Sequence, residues 1–131
     1  MSESNQSWHA LETYKSLITY GHAVLRYVFI INGGAIIAIL TFIGDMVSKA
    51  DGEHVPDMRQ PLIFFILGLL VSGIALCLAY WTQLTIYSQL VNKKDSPVHV
   101  YWFNGLVVCV GLGIIFFGIG SFVAISRLTA Y

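Results

Sequence analysis

The sequence predicts an all-α integral membrane bundle: three long transmembrane helices, with cytoplasmic extensions on the first two. Three observations carry this. Of 131 residues, 56% are hydrophobic and only 11% charged, and a mean hydropathy of +0.73 is far above that of a soluble domain. The charges cluster between three long uncharged runs. Proline, glycine and capping residues mark the breaks between those runs. The chain therefore reads as one transmembrane domain over 1–131, with helices at about 8–44, 58–91 and 97–128.

The first helix opens amphipathic at Trp8 and turns wholly apolar after Arg26. Between Arg26 and Asp45 lie 18 uncharged residues, about 27 Å of helix and just enough to cross hydrocarbon. Residues 8–23 are then expected in water or on the membrane surface. Lys15, His22, Arg26 and Gly33 fall on one narrow stripe at 3.6 residues per turn. Beside it run Ser16, Tyr20, Ala23, Tyr27, Gly34, Ala38 and Thr41, a face suited to a close helix neighbour. Its Tyr20/Ala23/Tyr27 part is expected to pack on residues 82–90 of a second helix, in the same or a neighbouring chain.

A polar connection follows, with Asp45, Lys49, Asp51, Glu53, Asp57 and Arg59. Asp57-Met58-Arg59-Gln60 reads as a capping box, with Pro61 in the first turn, where its missing N–H costs nothing. From Leu62 to Asn92 there are 31 residues without a charge or a histidine, more than a bilayer needs. Tyr80, Trp81 and Tyr87 form an aromatic belt near the far end, and Gln83, Ser88 and Gln89 mark turns emerging into water. Gly68, Ser72, Ala75, Ala79 and Thr82 share one small-residue face.

Asn92-Lys93-Lys94-Asp95 is so short a link that the second and third helices must be antiparallel neighbours. Ser96-Pro97 starts the third helix as N-cap and first-turn proline. Val100–Ser126 carries no charge over 27 residues. Its Gly105, Gly113 and Gly120 lie along one side, with Cys109 and Ala124, and Gly111 and Gly118 lie nearly opposite. Two small faces suggest two close neighbours, and a three-helix chain supplies one, so a homo-oligomer is expected.

Few residues carry chemistry. Lys15, His22 and Arg26 form a candidate headgroup or anion contact, set against simple snorkelling of cations at a helix end. Asn32, alone among strongly polar side chains deep in the first span, suits an interhelical hydrogen bond or a pathway lining. Asn32, Gly33, Gly34, Gly68, Ser72 and the third-helix glycines are the candidate packing residues. Cys77 and Cys109 read as packing residues in apolar runs. His9, His22, His54 and His99 are scattered, without metal-ligand spacing, so no metal or cofactor is expected. No carboxylate or cation lies inside a span, no phosphate loop is present, and Thr41, Ser72, Thr82 and Ser121 are isolated. The chain is therefore not expected to be an enzyme or a coupled transporter.

The zero net charge suggests no nucleic-acid partner. The polar start, Met1–Gln6, resembles neither a secretory signal nor a lipidation site. With the N-terminus inside, Lys15, Arg26, Lys93 and Lys94 are cytoplasmic against Lys49, Arg59 and Arg127 outside, a small positive-inside bias.

Leu11-Glu12-Thr13-Tyr14-Lys15-Ser16-Leu17-Ile18, Asn32-Gly33-Gly34-Ala35 and Ala79-Tyr80-Trp81-Thr82-Gln83-Leu84 resemble a group of small predicted bacterial three-helix membrane proteins of unassigned function. In size and plan the chain is also similar to the small membrane effectors of bacterial anti-phage systems, an architectural likeness alone. These resemblances imply a bacterial inner-membrane location. The expected function is a self-assembling membrane protein, either a membrane-perturbing or pore-type effector or a non-catalytic scaffold that holds a soluble partner at the cytoplasmic side.

Overall fold

The computed structural model describes residues 3–49, 56–92 and 97–129, and within them the chain is helical apart from short lead-ins to the second and third helices. The helices are α1 (Glu3–Lys49), α2 (Arg59–Asn92) and α3 (Val98–Thr129). In lipid the backbone finds no partner but itself, so long apolar runs, even glycine-rich ones, close into helix. At 47, 34 and 32 residues, the helices are about 70, 51 and 48 Å long. Each contains a segment long and apolar enough to cross a membrane. This is a small integral membrane protein. The expected Ser96 cap, the link cations Lys93 and Lys94, and Asp51, Glu53 and His54 lie outside the described residues.

α2 and α3 form the closest pair, and α1 lies against α2 more than against α3. The hairpin is held in register along its length. Arg127 Nη2 donates to Gln60 Oε1 at 2.6 Å at one end. Phe65–Phe117 and Phe64–Phe116 follow, with centroids 5.7 and 6.5 Å apart. Trp81 stacks on Trp102 at 6.1 Å near the other end. Val98 lies four residues before Trp102, which puts the start of α3 level with about Thr85, so α2 outruns α3 at the link end.

The start of α2 departs from a full capping box. Asp57 Oδ1 accepts the N–H of Arg59 at 3.1 Å, but the Gln60 carboxamide turns to Arg127 of α3 instead of back to the cap. A guanidinium is the stronger donor, which accounts for the choice. Pro61, in the first turn, is fully buried.

The core is thin and sits where the three helices meet. Leu25, Val28 and Asn32 enter it from α1, Phe65, Ser72, Ala75 and Thr82 from α2, and Gly113 and Gly120 from α3. The α1 face that meets its own chain is thus Leu25/Val28/Asn32. Tyr20, Ala23 and Tyr27 are all exposed, so their expected packing on α2 does not occur within the chain. Apolar stiff side chains won that place over two tyrosines, whose hydroxyls would need buried partners. Cys77, expected to pack, is exposed, and Cys109 is half-buried.

Candidate functional site

Two polar features stand out among otherwise greasy helices. One is buried and one is open.

The buried feature is Asn32, which is 0% exposed. Its Nδ2 donates to Val28 O, one turn back, at 2.9 Å and to Gly113 O across the interface at 3.3 Å. Two carbonyls on that side fix the carboxamide orientation, since a flipped amide would set oxygen against oxygen. Oδ1 then faces Gly68 and finds no hydrogen-bond partner. Gly68 has no room for a side chain: a Cβ there would fall on the Asn32 carboxamide, 2.6 Å from Cγ. Gly113 is closed off likewise, by Val28 Cγ1 at 2.7 Å, and Gly120 by the Phe65 ring at 2.9 Å. Ser72, 2% exposed, completes the cluster and donates to Gly68 O at 2.7 Å. Asn32, Gly68, Ser72 and Gly113 therefore form one polar clasp joining all three helices.

Four serine and threonine hydroxyls in the spans turn inward on their own helices. Thr41 bonds Ile37 O, Thr82 bonds Leu78 O, Thr85 bonds Trp81 O, and Ser121 bonds Phe117 O, each four residues back. A hydroxyl so engaged is satisfied without water or partner. No cluster of three His, Cys, Asp or Glu suited to a metal occurs among the described residues.

The open feature is on α1. His22, Ala23, Arg26, Tyr27 and Ile30 line a shallow depression made by this helix alone. Lys15 is not brought into it. That lysine lies three turns away and pairs with Glu12 at 3.8 Å. Among the described residues no carboxylate pairs with Arg26.

The helix register sets the depth of Arg26. Asn32 abuts Gly68, and a Cβ on Gly33 would lie 3.9 Å from Leu69. α1 and α2 run antiparallel, so Arg26, six residues before Asn32, is level with Ile74, six after Gly68. Leu25 is buried, so α1 is still against the bundle at that height. Trp81 lies seven residues beyond Ile74, about 10 Å further along the axis. The Arg26 backbone therefore lies inside the Trp81 level, measured along the bundle axis.

The other sequence-derived packing residues divide in two. Gly105 faces Leu78, whose Cδ1 would be 3.4 Å from a Cβ, while Gly34, Gly111 and Gly118 would meet nothing within 4 Å. The inward glycines of α3 are thus Gly105, Gly113 and Gly120, and the opposite face is bare. No family model, curated protein or solved structure matches this chain.

Proposed function

We propose that this is a self-assembling protein of the bacterial inner membrane, N-terminus in the cytoplasm, whose assembled form perturbs the membrane as a pore-type effector would. One observation carries the reading. Close-packing faces remain on the chain after its own helices have met: Gly111/Gly118 on α3 and Gly34 on α1 are bare, and beside Gly34 Ala38 and Thr41 are exposed. Bare small faces in lipid favour helix association by close backbone approach, and a second copy is the partner always present. A single chain is closed at its centre by the Asn32 clasp, so a conducting path would have to form between chains. The role is non-catalytic in this reading, because Thr41, Ser72, Thr82, Thr85 and Ser121 all bond carbonyls of their own helices.

Native mass measurement in mild detergent tests the assembly. The unaltered protein should be an oligomer, and Gly111→Leu with Gly118→Leu should release monomers that still insert. Expression of the unaltered protein should collapse the membrane potential, and expression of the double variant should not. A monomer from the unaltered chain ends both the assembly and the pore. An oligomer that leaves the potential intact favours the scaffold reading. That reading has its own support: α2 outruns the start of α3, and α1 carries Trp8, Thr19 and Tyr20 exposed at the same end, a surface for a soluble cytoplasmic partner.

A further inference from the structure

We infer that Arg26, with His22 and Tyr27 beside it, binds the phosphodiester of an anionic phospholipid and draws it below the level of the aromatic belt. The site needs a single chain and stands whether or not chains assemble.

Depth and isolation make the case together. Arg26 is exposed on the side of α1 away from the bundle, about 10 Å inside the Trp81/Trp102 level. A guanidinium there is costly unless something anionic or wet reaches it, and intramembrane cations nearly always have such a partner. Among the described residues no carboxylate reaches it. All seven acids, Glu3, Glu12, Asp45, Asp51, Glu53, Asp57 and Asp95, fall outside the 13–44 stretch of α1 and the uncharged runs of α2 and α3. Glu12 is 14 residues before Arg26, about 21 Å along the helix. A second copy inserted in the same direction brings its acids to the same levels, so it has no carboxylate to offer either. It would bring its own Arg26, a like charge.

Lipid phosphate is the anion available next to that level. Helical side chains lean toward the helix N-terminus, which for α1 is the direction of the belt, so the guanidinium reaches toward the headgroups over His22. Its planar fork matches two phosphate oxygens. His22, one turn on, and the Tyr27 hydroxyl are further donors lining the same depression. Arginine near a helix end in general snorkels to the interface. Here the start lies deep, so the headgroup must come part of the way to meet it, which thins the leaflet locally.

The test is retention of phosphatidylglycerol by the full-length protein in mild detergent, titrated and read by native mass measurement. Arg26→Gln should weaken retention about tenfold or more, the loss of one charged, doubly hydrogen-bonded contact. Arg26→Lys, which keeps the charge but not the fork, should recover part of it. Lys15→Gln should change nothing, because Lys15 lies outside the depression. Inorganic phosphate at matched concentration should not displace the lipid. Unchanged retention in Arg26→Gln would overturn the inference, as would an equal loss in Lys15→Gln, which means general surface charge. Displacement by inorganic phosphate would also overturn it by revealing a site for free anions. Loss of the assembly in Gly111→Leu/Gly118→Leu with lipid retention intact would separate this site from the proposed oligomer.

Discussion

At the scale of single residues, Asn32 and Gly68 depend on each other. The buried Oδ1 has no donor, and it is tolerated because Gly68 leaves the space and two carbonyls hold the Nδ2 end. Gly68→Ala should therefore force the carboxamide off both bonds and cost on the order of 1–3 kcal/mol, the usual range for overpacking a tight site. Asn32→Ala should cost less, since an interhelical polar contact in a membrane averages about 0.6 kcal/mol. The double variant should be more stable than the sum of the two, because removing the carboxamide removes the clash. Thermal unfolding in detergent measures all three, and additive losses would mean that the two residues do not touch. Gly73→Ala, at a glycine on the same helix with nothing near its Cβ position, is the control and should be near neutral. The sequence marked Asn32 and the small face of α2 as packing residues, because helical period puts Gly68, Ser72 and Ala75 together. It could not say that Asn32 meets Gly68 in particular, since that pairing joins positions far apart in the chain.

At the scale of elements, what was legible depended on how local its cause was. Helix number followed from uncharged runs and from capping signals, both properties of neighbouring residues. The capping box at Asp57 shows the limit: its first half is local and forms, while its second half lost Gln60 to Arg127, 67 positions away. Asp57→Ala should cost about 1 kcal/mol of helix-end stability and speed amide exchange at Arg59 and Gln60. Gln60→Ala should leave the exchange of the Asp57 N–H alone, because its side chain no longer serves the cap. Faster exchange at Asp57 in Gln60→Ala would restore the closed box. Height along the bundle is less local still. The α1–α2 contact at Asn32 sets Arg26 level with Ile74, which counting charges along one helix does not reveal. The Tyr20/Ala23/Tyr27 face does not meet α2 of its own chain, since periodicity finds a face without naming its neighbour.

At the scale of the whole molecule, the three helices sort the remaining charges onto two ends. Asp45, Lys49, Asp57, Arg59 and Arg127 gather at one, around the Gln60–Arg127 bond and the exposed Lys49–Asp45 pair at 3.1 Å. Glu12, Lys15 and Arg26 lie toward the other, where the Trp81–Trp102 stack marks the belt. The span between the two ends is about 22 residues on α2, from Arg59 to Trp81, or roughly 33 Å, a good match to a bilayer core. Cations decide orientation, and acids count for little. Counting Arg26 with Lys15, Lys93 and Lys94 against Lys49, Arg59 and Arg127 gives the small bias on which the proposed N-inside orientation rests. In a background where Cys77 and Cys109 are replaced by alanine, a membrane-impermeant maleimide added outside intact cells should label Asp57→Cys and miss Asn92→Cys. Labelling of Asn92→Cys alone would invert the molecule and move the Arg26 depression to the outer leaflet. Labelling of both would mean that α2 does not cross. The orientation matters for mechanism because anionic lipid is the ligand inferred for Arg26, and only the leaflet on that side can supply it. With the N-terminus inside, every copy in an assembly would pull on cytoplasmic-leaflet headgroups at the same depth. Leaflet thinning would then grow with the number of subunits in contact, which links the lipid site to the membrane-perturbing role through geometry alone.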